Sequence, residues 1–83
     1  MEKRLSELKP GEKGVVTRVG GSGIIRRRLL DMGIVKGVEI EMVRKAPLGD
    51  PLEFLVKGYN LSLRKEESDQ VYVMPVEGAY HVE

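Results

Sequence analysis

In residues 28–51, RLLDMGIVKGVEIEMVRKAPLGDP, two glycine-punctuated turns frame a single alternating strand. The run Arg28–Gly33 reads as the end of a helix, with Gly33 just past the last turn, where a left-handed backbone is needed and a Cβ would clash. Gly37 marks the tight turn that hands the chain to a strand. There Val38, Ile40 and Met42 alternate with Glu39, Glu41 and Val43, so one face is buried and the other mostly wet. Ala46-Pro47-Leu48-Gly49-Asp50-Pro51 then sets two prolines and a glycine between two apolar alternations, which reads as a turn. Leu52, Phe54 and Val56 resume the alternation, so the two strands predict a hairpin with a shaped loop.

Working back toward the N-terminus, Gly20-Gly21-Ser22-Gly23 breaks regular structure and offers Ser22 as a helix cap. Ile25, Leu29 and Met32 then recur at helical spacing over about three turns. Before them Lys13–Val19 is β-branched and too short for a helix with an apolar stripe, which predicts a strand with Val15, Thr17 and Val19 on one face. Leu5 and Leu8, cut off by Pro10-Gly11, pin the N-terminal arm to the core. Toward the C-terminus Gly58-Tyr59-Asn60 reads as a second turn and Leu61-Ser62-Leu63 as a strand. Arg64–Asp69 reads as a charged connector with room for one helical turn, and Val71-Tyr72-Val73 as the last strand.

Five short strands with one helix between the first two fit a small all-β barrel or sandwich better than a βαβ sheet, which needs repeated helical crossovers. One domain is expected over residues 1–74. The tail, residues 75–83, is read either as disordered or, through Tyr80 and Val82, as an added strand or a contact with a neighbouring chain.

Composition narrows the function. At 83 residues without cysteine, the core has no disulfide or thiolate metal site to supplement it and must draw on nearly every apolar residue. A formal charge of +1 gives no basic excess of the kind that nonspecific nucleic-acid binding requires. The N-terminus has no apolar signal region, and no run approaches the roughly 20 apolar residues of a spanning helix. The expected location is cytoplasmic, with no membrane insertion.

The chain resembles the ferrous iron transport protein A (FeoA) family over roughly Leu5 to Val73. The resemblance rests on Leu5 to Gly11, on Arg28-Leu29 through Met32-Gly33-Ile34 with Gly37, and on Gly49-Asp50-Pro51. Gly58 with Leu61, Leu63-Arg64, Val71 and Val73 complete it. It departs at Lys36, where the family commonly has proline, and it does not cover the tail after Met74. The resemblance implies a small SH3-like five-stranded barrel. It also implies a cytoplasmic accessory of bacterial ferrous iron uptake, acting on the GTP-binding part of the FeoB-type membrane transporter. The transition metal ion belongs to that system, and the resemblance does not imply that this protein moves iron itself. Because the family domain is also similar to the C-terminal SH3-like domain of iron-dependent repressors, a regulatory module that binds such a repressor is the first rival.

The residues themselves offer little chemistry. The single histidine, His81, lies in the tail, and Glu66, Glu67 and Asp69 read as a solvated connector before they read as a metal site. No nucleophile stands beside a histidine base, and Gly20-Gly21-Ser22-Gly23 lacks the lysine of a phosphate loop, so neither an enzyme nor a cofactor is expected. Arg26 and Arg27 fall off the apolar helix stripe and read as a solvated face. Beside a GTPase, the run Arg26-Arg27-Arg28 also suggests an arginine supplied in trans. Arg28 is expected to pair with Asp31 or Asp50, or to touch a partner. The prolines hold Leu48 either outward, as an anchor for an apolar pocket, or folded over the barrel mouth. The expected partner-binding set is therefore Arg26, Arg27, Arg28, Pro47, Leu48, Gly49, Asp50 and Pro51. A nucleic-acid-binding barrel using Arg26, Arg27, Arg28, Arg44 and Lys45 is the second rival. Tyr59 and Tyr72 are too few for a polyproline groove, and self-association as a homo-oligomer is left open.

Overall fold

A computed structural model describes residues 1–76. In chain order it contains β1 (Lys3–Arg4), a 3-10 turn (Leu5–Glu7), β2 (Lys13–Val19), α1 (Gly23–Asp31) and β3 (Glu39–Lys45). These are followed by β4 (Leu52–Val56), β5 (Tyr59–Leu63), the single-turn α2 (Lys65–Ser68) and β6 (Val71–Pro75). The strands form one antiparallel sheet in the order β1-β6-β2-β3-β4-β5. The described residues thus hold six strands rather than five. The extra one, β1, is two residues long and carries no periodic signal; it exists because Lys3 and Arg4 pair with Val73 and Tyr72.

A single apolar cluster sits inside the curl of this sheet. The alternations of the central hairpin supply most of it: Ile40 and Met42 from β3, and Leu52, Phe54 and Val56 from β4, all essentially inaccessible to water. Leu5 and Leu8 close it from the N-terminal arm, Leu29 from α1, and Val71 and Val73 from β6. The face expected for β2 is corrected by the structure. Gly14 and Val16 point inward, a bulge falls between Val16 and Arg18, and beyond it Val19 packs against the core as well. One inserted residue, Thr17, shifts the parity of the strand, which alternation alone cannot reveal.

The end of α1 follows from its sequence. Gly33 has φ +91°. Its N–H donates to the Leu30 carbonyl at 2.9 Å and the Ile34 N–H to the Leu29 carbonyl at 3.1 Å, the two bonds of a Schellman cap. Leu29 and Ile34, the apolar pair such a cap brings together, are both fully buried. The cap therefore turns the chain into the core.

The second turn is shorter than the sequence suggests. Val56 pairs directly with Tyr59, leaving Lys57 and Gly58, with φ of +51° and +86°, as a two-residue hairpin loop. Such a loop needs positive φ at both positions, which asparagine adopts more readily than lysine. Lys57→Asn is expected to stabilise the domain by about 0.5 kcal/mol in urea unfolding.

Candidate functional site

The Ala46–Pro51 loop is held at both ends. The Gly49 N–H donates to the Ala46 carbonyl at 2.7 Å, closing a turn with Pro47 at its second position, and the Ala46 N–H donates to the Pro51 carbonyl at 3.0 Å. Gly49 has φ +89°, and the Asp50–Pro51 peptide is cis. Leu48 stands at the tip, 96% exposed. Of the two placements open to it, the structure shows the outward one. Behind the tip, the Asp50 carboxylate accepts a hydrogen bond from the Lys65 N–H at 3.0 Å, tying the loop to the start of α2.

Arg28 pairs neither with Asp31 nor with Asp50. Its Nη1 lies 3.1 Å from Oε2 of Glu67, whose side chain is only 6% exposed. The other oxygen of Glu67 accepts the Arg64 N–H at 2.8 Å, capping α2. Glu67 is thus no part of a solvated surface: it anchors an arginine from a helix 39 positions earlier in the chain. Asp69 is also engaged, by the Ser6 hydroxyl and by Lys65 at 3.6 Å. No group of three or more histidine, aspartate and glutamate side chains able to hold a metal ion is found among the described residues. His81 lies outside them.

The ion pair is lopsided, because Arg28 is 64% exposed and Glu67 is not. Solvent screening discounts what Arg28 contributes, whereas loss of Glu67 removes both the pair and the cap. Arg28→Ala is expected to cost about 1 kcal/mol and Glu67→Ala about 2 kcal/mol, measured by chemical denaturation. The reverse order would contradict this account.

Arg26 turns back, its Nε donating to the Val19 carbonyl at 3.1 Å. Arg27 lines a shallow cleft on the outer side of α1 together with Arg28, Asp31, Met32 and Ile24, the last 84% exposed. A second cleft shares Arg28 with the first and is lined further by Asp50, Pro51, Ser62, Arg64 and Glu67. A third shares Pro51 and Ser62 with the second and runs beneath the loop past Arg44, Lys45 and Pro47. The structure therefore brings Arg27, Arg28, Pro47, Asp50 and Pro51 onto one continuous surface and leaves Arg26 at its margin. Sequence reasoning missed Ser62, Arg64 and Glu67 here. The R-x-x-E spacing of Arg64 and Glu67, repeated in Arg4 and Glu7, is the signal that marks both glutamates as caps.

Tyr59 and Tyr72 serve separate parts of the sheet. The Tyr59 hydroxyl donates to the Met32 carbonyl at 2.8 Å, while the Tyr72 ring lies under the Arg18 guanidinium at 3.9 Å. Arg44 pairs with Glu53 at 2.7 Å, which removes one cation from any nucleic-acid face.

A curled antiparallel sheet with one helix between its first two long strands defines a small SH3-like β domain. The FeoA domain family model matches residues 3–75, and the chain belongs to the FeoA family. It is 46% identical over 70 residues, 84% of its length, to an Fe(2+) transport protein A/Fe(2+) transporter FeoB fusion protein of Porphyromonas gingivalis, and it spans only 8% of that protein. An FeoA-like protein from Clostridium acetobutylicum superposes with a TM-score of 0.87 at 36% identity, over 99% of this chain and 95% of that one. FeoA of Stenotrophomonas maltophilia, a prokaryotic SH3 domain protein crystallised with zinc, superposes with a TM-score of 0.77 at 38% identity, over 87% and 89%. The family ties the chain to ferrous iron transport. Among the described residues, no helix is long and apolar enough to cross a membrane.

Proposed function

We propose that this protein is an accessory of ferrous iron uptake that binds the cytoplasmic GTP-binding region of a FeoB-type transporter and biases its nucleotide state or assembly. The observation that carries this reading is the fusion relative, in which a domain 46% identical to this chain is part of the same polypeptide as FeoB. Fusion of two domains keeps them at high effective concentration, an arrangement that suits partners in contact. The docking surface is the outer side of α1 with the Ala46–Pro51 loop. An arginine fixed by a buried carboxylate and an apolar side chain on a bonded loop both lose little freedom on binding, which favours affinity.

The test is titration of the isotope-labelled protein with the purified cytoplasmic domain of the transporter, followed by amide NMR with and without a GTP analogue. Shifts concentrated in residues 22–33 and 46–51 are expected, and their dependence on nucleotide ties the contact to the GTPase cycle. An unchanged spectrum at high partner concentration overturns the reading.

A further inference from the structure

The sheet has two edges, and they differ. β1 is two residues long and consists of a lysine and an arginine, features that keep an edge from pairing with another strand. β5, YNLSL, is five residues long, carries no charge or proline, and pairs with β4 in unbroken register. It has no charge, proline or bulge to blunt it.

The register shows which backbone groups of β5 are free. In a two-residue hairpin the residues flanking the loop form a hydrogen-bonded pair, and such pairs alternate along an antiparallel ladder. Val56 with Tyr59, Phe54 with Leu61 and Leu52 with Leu63 are then bonded pairs, while Asn60 and Ser62 direct their N–H and C=O outward. Both are exposed, and neither bonds to any other backbone element among the described residues. Ser62 also lines both of the clefts that adjoin the Ala46–Pro51 loop.

The clefts carry a charge preference. Arg28 is matched by Glu67 and Arg44 by Glu53, while Asp50 accepts the neutral Lys65 N–H and keeps its charge, so the two clefts together carry one net positive charge. Arg64 in one cleft and Lys45 in the other make no side-chain ion pair among the described residues. We propose that the free edge of β5 takes up an extended acidic segment of the protein partner as an additional strand, its backbone bonding to Asn60 and Ser62 and its acidic side chains facing Arg64 and Lys45. This deepens the docking reading and rests on it, since both clefts adjoin the Ala46–Pro51 loop. Main-chain bonds supply the affinity of such an arrangement, and the clefts supply its selectivity.

Amide exchange of the full chain, alone and saturated with the transporter's cytoplasmic domain, tests it. The Asn60 and Ser62 amides are expected to exchange fast in the free protein and to slow about tenfold or more in the complex, while Tyr59 and Leu63, already in the ladder, change little. Ser62→Pro removes one outward N–H that β4 does not use and is expected to weaken binding at least about tenfold. Joint replacement of Lys45 and Arg64 by glutamate is expected to weaken binding by about tenfold and to flatten its salt dependence. A complex that forms without slowing these two amides overturns strand addition and leaves the docking reading standing. Absence of any complex overturns both. Slowing that grows with the concentration of the chain alone assigns the edge to a second copy and overturns the acidic partner. Where Ser62→Pro does not fold, the exchange pattern of the native chain decides.

Discussion

Gly14→Ala is expected to destabilise the domain by about 3 kcal/mol, a loss of roughly 12–24 °C in Tm for a domain of this size. The backbone at Gly14 is not in the left-handed region, so the effect is one of space alone. A Cβ at this position falls 2.9 Å from Cβ of Val73, 3.0 Å from its Cγ2 and 3.3 Å from the Met74 carbonyl oxygen. None of these can step aside. Val73 is fully buried in the core cluster, and the Met74 carbonyl belongs to the β2–β6 pairing, where Gly14 lies opposite Pro75. Relief requires β6 to move away from β2, and β6 also holds β1. Gly14→Val is expected to leave no stable fold. The cause is testable by a double-mutant cycle in urea: Val73→Gly removes both Val73 atoms that meet the new Cβ, whereas Val73→Ala would leave the 2.9 Å contact, so the Gly14→Ala/Val73→Gly double variant is expected to lose at least about 1 kcal/mol less than the sum of the single losses. Simple additivity would point away from the contact.

Gly14 also marks the boundary of what the sequence discloses. Alternation in β3 and β4 names Ile40, Met42, Leu52, Phe54 and Val56 as inward, and the structure buries all five. The stripe of Ile25, Leu29 and Met32 on α1 meets the core as expected, and Gly33 takes the left-handed position its place after the helix requires. These features depend on neighbours within a few residues, the range over which periodicity and turn chemistry act. Apart from the second turn, whose loop falls on Lys57 and Gly58, the failures involve distant partners. Gly14 is small because Val73 occupies the space beside it, Thr17 is bulged because β6 pairs on both sides of it, and Arg28 finds Glu67 rather than Asp31. In a sheet whose first long strand pairs with its last, such contacts are set by closure of the chain and leave no local pattern.

The same distinction explains the candidate surface. Its loop was legible because two prolines and a glycine restrict a short segment, and its helix because of the stripe opposite. Their meeting was not legible, because it runs through Ser62, Arg64 and Glu67, which read in isolation as strand end and charged connector. The alternation of β5 was visible, whereas its place at the rim of the sheet is a property of strand order. The proposed binding surface, assembled from an edge, a loop and a helix, thus emerges only with the tertiary structure.

Leu48→Asp is expected to weaken binding to the transporter's cytoplasmic domain by about 10- to 150-fold while leaving stability within about 0.5 kcal/mol of the parent. The stability half follows from its position: the side chain is 96% exposed, and the bonds that close the loop belong to Ala46, Gly49 and Pro51. The binding half follows from transferring an exposed leucine into an apolar pocket, about 1.5–3 kcal/mol, which a carboxylate reverses by its own desolvation. A companion variant separates contact from preorganisation. Pro47→Ala keeps Leu48 but frees the turn that holds it, and is expected to reduce affinity only about two- to fivefold, the scale of the backbone freedom a proline removes. If Leu48→Asp binds like the parent protein, Leu48 is no anchor and the docking surface contracts to α1 and the β5 edge. If Pro47→Ala proves as damaging as Leu48→Asp, the geometry of the loop outweighs its apolar tip, and the contact would then be made by the backbone around Gly49.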